Sequence, residues 1–187
     1  MKKIFKTLSL VILAISISTL AYAQGSDYKA AITVNPLSML FGTFNAEANI
    51  RLADSLSVLI SGSYWGLDSG YWDYTAFGVG TGIKFYWQGS AIHGWYVGPM
   101  LDFAFASAEY TDPWTSEKAT GSATGISFGG LIGYQSIFDS GVTIDFGLGV
   151  QVISIPDVSV EVGGLTVASG SQSWTLPLIK LAVGYAF

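Results

Sequence analysis

The chain has 187 residues, half of them hydrophobic and only 11% charged, with 23 glycines, no cysteine and a formal net charge of −5. A disordered chain is far less apolar, and a soluble domain carries about a quarter charged residues, so this one would expose too few charges to stay soluble. Past the N-terminal region no run reaches the roughly 18 apolar residues of a membrane helix. The apolar half is therefore spread thinly, and a strand period of two is the pattern that spreads it.

The chain opens with Met1-Lys2-Lys3-Ile4-Phe5-Lys6, an apolar run from Leu8 to Leu20, and Ala21-Tyr22-Ala23 before Gln24. This order of basic, apolar and small residues reads as a secretory signal over 1–23, and Ser9, Ser16, Ser18 and Thr19 dilute it too much for a membrane anchor. Residues 24–187 then form one domain. Three of the eight Lys/Arg lie in the leader, which leaves five against thirteen Asp/Glu and a net charge near −8. Nucleic acid is disfavoured as a partner. Without cysteine there is neither a disulfide framework nor a lipidated N-terminal Cys.

Eight strands follow in chain order. The first covers Tyr28 to Leu37 and is interrupted at Pro36; the next two cover Phe44 to Leu52 and Leu56 to Tyr64. In the fourth, Phe77, Val79, Ile83, Phe85 and Trp87 alternate with Gly78, Gly80, Gly82 and Lys84. In the fifth, Val97, Leu101, Phe103 and Phe105 alternate with Gly98, Met100, Asp102 and Ala104, and Pro99 predicts a bulge or kink. Ile126, Phe128, Ile132 and Tyr134 carry the sixth. Val142 to Ser154 is the cleanest, with Val142, Ile144, Phe146, Leu148, Val150 and Val152 on one parity and Thr143, Asp145, Gly147, Gly149 and Gln151 on the other. The last sets Ile179, Leu181, Val183, Tyr185 and Phe187 against Lys180, Ala182, Gly184 and Ala186.

After a tight link near Gly42, short connections (53–55, 89–94, 137–141) alternate with longer ones (67–74, 110–122, 155–173). Short turns on one rim and long loops on the other are the pattern of an outer-membrane barrel. Glycine placement agrees: Gly78, Gly80, Gly82, Gly98, Gly125, Gly129, Gly133, Gly147, Gly149 and Gly184 share the polar parity, and only Gly62 and Gly130 take the apolar one. An eight-stranded lumen is just wide enough to be filled by side chains, so small residues belong inside. Two aromatic belts are expected, one from Tyr64, Trp65, Tyr71, Trp72, Tyr74, Trp114 and Trp174, the other from Trp87, Trp95, Tyr185 and Phe187.

With this pattern the chain resembles the small eight-stranded outer-membrane β-barrel proteins, the OmpA-like and OmpX-like group. The resemblance implies an all-β, antiparallel, up-and-down transmembrane barrel after a cleaved signal. It implies that Leu181, Val183, Tyr185 and Phe187 are the terminal signal read by the barrel-assembly machinery, and that outer-membrane lipid and lipopolysaccharide surround the protein.

Charges on the inward parity are Glu47, Arg51, Lys84, Asp102, Asp145 and Lys180, three of each sign, and they predict a paired lumen network, with Glu47 and Arg51 expected to pair along one strand. His93, the sole histidine, reads as a solvated turn residue. No catalytic triad, metal cluster or phosphate loop is evident, and no cofactor is implied. Asp68, Asp73, Glu109, Asp112, Glu117, Asp157 and Glu161 read as hydrating loop residues or as recruiters of divalent cations bridging lipopolysaccharide. Alternation over 158–162 and 165–167 about Gly163-Gly164 predicts a hairpin extending the last two strands above the membrane, a candidate site for an extracellular protein partner by strand addition. The functional expectation is a non-enzymatic, plugged barrel of the bacterial outer membrane that serves envelope structure or surface recognition. The alternatives are a small-solute pore, a lipid-modifying enzyme and, with its apolar face turned inward, a secreted ligand carrier.

Overall fold

The computed structural model describes residues 28–88, 90–114, 118–162 and 165–187, with the backbone alone described over 157–170. The leader, Glu117 and the Gly163-Gly164 turn lie outside these residues. The elements are β1 (Ala30–Val34), α1 (Pro36–Leu40), β2 (Thr43–Ala53), β3 (Leu56–Asp68), β4 (Trp72–Tyr86), β5 (Gly94–Thr111), β6 (Lys118–Ile137), β7 (Val142–Val162) and β8 (Leu165–Ala186). Each strand pairs antiparallel with the next, and β8 pairs with β1 to close the barrel.

The register sets the barrel's shape. A path along paired residues runs from Leu176 through Gln151, Gly129, Met100, Gly82, Leu59, Asn49 and Ala31, and returns to β8 at Ala186, ten residues from its start. With eight strands, a stagger of ten, a 3.3 Å rise and a 4.8 Å strand spacing, the strands tilt about 40° and the barrel radius is about 8 Å.

Strand parity then decides which side chains meet lipid. On β4, Phe77, Val79, Ile83 and Phe85 are 42 to 51% exposed, while Gly78, Gly82, Lys84 and Tyr86 between them are buried. The same outward apolar rows run over 56–64, 77–87, 95–105, 126–134, 142–152 and 177–185, matching the roughly 9 to 11 residues that carry a tilted strand across a bilayer. Thr81 interrupts its row, and its hydroxyl donates to Leu59 O at 3.0 Å. Above the band the outward residues turn polar, with Asp73, Thr75, Ser107, Glu109, Thr120 and Ser122 lining one shallow concavity.

The structure alters three expectations. The first strand ends at Val34, because Asn35 caps a helix in its place: its side chain accepts from Ser38 N at 3.1 Å and Pro36 takes the first helical turn. The longer connections are largely strand. β3 and β4 pair out to Asp68↔Asp73, and β7 and β8 out to Val162↔Leu165, so these hairpins stand above the apolar band as extended sheet. Pro99 makes no bulge. Pairing with β4 lapses between Gly82↔Met100 and Phe85↔Val97 and resumes in the same register. The register shifts fall elsewhere, at Arg51/Ala53, at Thr124/Ile126, at Ile155/Val158 beside Pro156 and at Val160/Glu161.

Candidate functional site: the charged lumen

The lumen near the short-turn end holds a buried polar plug. Four strands send one charge each into it: Glu47 from β2, Lys84 from β4, Asp145 from β7 and Lys180 from β8, with exposures of 7, 2, 0 and 3%. Asp145 is the hub. Its Oδ2 accepts from Lys84 Nζ at 2.7 Å and from Lys180 Nζ at 2.8 Å, and its Oδ1 accepts from Tyr96 Oη at 2.8 Å. Lys180 also donates to Glu47. Two cations and two anions leave the cluster neutral, the condition under which buried charge is tolerated.

A second layer holds the hub in place. Gln135 Oε1 accepts from Tyr86 Oη at 2.8 Å and from Lys84 Nζ at 3.3 Å, and Lys84 Nζ lies 4.3 Å from the Tyr96 ring centroid. Tyr86 and Tyr96 are both fully buried, with ring centroids 5.5 Å apart. Glycine makes this possible. A Cβ on Gly133 would come 2.5 Å from Tyr96 Oη, and one on Gly147 would come 3.1 Å from it. Below the tyrosines the turn between β4 and β5 folds inward and buries Ala91 and Ile92. Ile92 adopts φ 63°, a left-handed conformation that costs a non-glycine residue about 1 to 2 kcal/mol. Its 1% exposure shows what offsets the strain.

Of the six inward charges named from the sequence, four meet. Arg51 and Asp102 do not join them. Arg51 pairs with Asp54 at 3.0 Å in the β2–β3 turn, and Glu47 is bound to Lys180. The anticipated Glu47–Arg51 pair lies along a single strand, where four residues span about 13 Å. Asp102 sits higher in the lumen between Ser61 Oγ at 3.4 Å and Ser127 Oγ at 3.3 Å. His93 is exposed, but its Nδ1 accepts from Ile137 N at 3.3 Å and so ties two short turns together. Tyr86, Tyr96 and Gln135 are the plug residues that a search for charges alone passes over; their inward parity is the signal that reveals them.

The aromatic belts divide. At the short-turn end Trp87 and Trp95 stack at 6.3 Å, and Trp95 meets Tyr134 at 5.3 Å on the outward face, as a headgroup-level girdle requires. At the other end Trp65, Trp72, Tyr74 and Tyr110 share the inward parity and pack on one another at 4.7 to 6.3 Å, a cluster at the barrel mouth instead of a lipid-facing ring. Among the described residues no group of three or more His, Cys, Asp or Glu is placed to hold a metal.

A closed ring that is apolar outside and polar within inverts the soluble barrel and defines the class: an eight-stranded membrane-type β-barrel, in which every strand neighbours another. Within that class the chain belongs to the family described as "Protein of unknown function (DUF3575)", which matches residues 9–185. No curated protein matches the chain. Among solved structures it is similar to a major outer membrane protein from Thermus thermophilus, at 15% identity and TM-score 0.47, over 84% of this chain and 99% of that one. It is similar to the translocator domain of the autotransporter NalP from Neisseria meningitidis, at 11% identity and TM-score 0.47, over 97% and 71%. It is also similar to Ail, the attachment invasion locus protein of Yersinia pestis, at 12% identity and TM-score 0.46, over 86% and 99%.

Proposed function

We propose that this protein is an exported, non-enzymatic barrel of the bacterial outer membrane. In this reading the barrel is anchored by its apolar band, closed to solutes by its lumen plug, and acts in envelope structure or surface recognition through the sheet it raises outside the cell. The observation that carries the reading is the plug. Glu47, Lys84, Asp145 and Lys180, each at most 7% exposed, with the buried Tyr86 and Tyr96 beneath them, occupy a lumen about 8 Å in radius measured to the backbone, and this burial supports a short-turn half closed to solutes. The short turns then face the periplasm, and Leu181, Val183, Tyr185 and Phe187 at that end serve the assembly machinery. Lipopolysaccharide surrounds the outer half.

The β7–β8 hairpin is the part that reaches furthest from the band; its β7 side is paired with β6 out to Ala119↔Val162, and its β8 edge suits pairing with a strand of an extracellular protein. Two measurements test the proposal together. The folded protein, recognised by a heat-modifiable gel shift in the outer-membrane fraction, should give a silent planar bilayer; steady conductance would establish the pore instead. Deletion of 157–170 should abolish cell-surface attachment while the gel shift persists, and undiminished attachment would remove the hairpin from the recognition role.

A further inference from the structure

The barrel is closed by unequal partners. β8 has 22 residues and β1 has five, and their ladder stops at Val34↔Val183. Along β8, Ala186 N donates toward β7, to Gly141 O, and Phe187 N donates toward β1, to Ala30 O. In an antiparallel ladder this alternation aims the N–H and C=O groups of odd-numbered residues at β1. Beyond Val183 these are Leu181, Ile179 and Pro177, and among the described residues no strand pairs with them. All three lie in the apolar band, and Pro177 suits an unpaired edge because it brings no N–H. The short helix α1 packs across the gap, against β2 on one side and β8 on the other, with Leu40 81% and Phe41 75% exposed.

The lumen side of this seam is apolar. Register places Trp174, Leu176 and Leu178 opposite Ile153, Gln151 and Gly149, all on the inward parity. Leu178 packs on the top of the plug, but Leu176 and Trp174 remain 43 and 45% exposed although they point into the barrel. The facing wall is made of Ser61, Ser63, Asp102 and Ser127. An exposed inward apolar strip beside a break in the strand pairing is not what a water-filled vestibule needs.

We propose that the seam between α1 and β8 admits an acyl chain of an outer-leaflet lipid, which lies on Trp174, Leu176 and Leu178 above the plug. Continuity identifies the occupant. The seam lies at the upper part of the lipid-facing band, where the unpaired edge at Pro177 and Ile179 meets α1 and Leu40 and Phe41 stand exposed, so hydrocarbon is the medium at its threshold.

The absence of native cysteine makes the test direct. Leu176→Cys, Ile179→Cys and Ser63→Cys proteins, each nitroxide-labelled and shown by gel shift to be folded, are reconstituted in phosphatidylcholine vesicles. Their collision rates with membrane-dissolved oxygen and with an aqueous nickel chelate are compared, together with their spin–spin broadening by phosphatidylcholine bearing a nitroxide on its acyl chain. The label at 176 should match the lipid-facing label at 179, with a raised oxygen-to-nickel ratio and broadening by the labelled chains, while the label at 63 should respond to nickel. A label at 176 that behaves as the label at 63 does, or that neither probe reaches, overturns the proposal. Should Leu176→Cys fail to fold, Trp174→Cys occupies the next inward position and is read by the same criteria. Conductance does not enter this test, so its outcome is independent of the proposed closed lumen.

Discussion

The two halves of the lumen are built from the same strands with the same parity, yet they are filled in opposite ways. Toward the short turns the inward positions hold long polar side chains that interlock at 0 to 7% exposure around Asp145. Toward the long hairpins they hold the short side chains of Ser61, Ser63, Gly78, Gly80, Ala104 and Gly125, and Asp102 there meets only hydroxyl groups among the contacts described. The difference shows that inward parity by itself specifies polarity and size, not packing. One half spends its inward positions on a seal and the other on a vestibule with an apolar side wall.

This contrast can be broken most sharply at its hub. Asp145→Leu leaves Lys84 and Lys180 facing each other without Asp145 between them, and removal of one partner from a buried ion pair costs on the order of 3 to 5 kcal/mol. The heat-modifiable transition of the folded barrel in detergent should fall further than for Gly133→Val, Tyr96→Phe or Arg51→Ala, and the variant should show more bilayer openings than the parent. An unaltered transition would mean that the plug contributes nothing to closure or stability. Gly133→Val comes next. Its Cβ would meet Tyr96 Oη at 2.5 Å, and overpacking of this kind costs roughly 1 to 3 kcal/mol, read as a lower urea midpoint.

Tyr96→Phe isolates one link of the plug. It deletes the 2.8 Å hydrogen bond to the Asp145 carboxylate and keeps the ring, so a loss of about 1.5 to 3 kcal/mol is expected in the same denaturation measurement. The smallest effects belong outside the seal. Arg51→Ala removes an exposed pair with Asp54, whose side chain is 90% exposed, and should shift stability by no more than about 1 kcal/mol. A drop as large as that of Asp145→Leu would place Arg51 in the lumen network after all and erase the distinction between plug and rim.

Much of the architecture was readable from alternation. Val142 to Ser154 announces its two faces without any partner in view, and the inward glycines announce a narrow interior. The pairing of charges was not readable in the same way. Glu47 and Arg51 look adjacent in sequence because they share a strand face, whereas Glu47 and Lys180 are 133 residues apart and meet only because the sheet closes with a stagger of ten. The upper aromatics mislead for a related reason. Clustering at strand ends suggests a belt, but the strands continue past the band, and the parity of Trp72 and Tyr74 in β4 then turns them into the mouth.

Side-chain alternation is a property of consecutive residues, so the chain alone determined that strands exist, which of their faces is apolar and therefore that the protein is a barrel turned inside out. Which inward residues become neighbours depends on shear, on strand length and on where β1 stops, and these are set by pairing between segments far apart in the chain. The tertiary structure therefore decided that Asp145 is the hub, that Arg51 stands outside, and that the wall between β1 and β8 is complete at one end and left to a five-residue helix at the other.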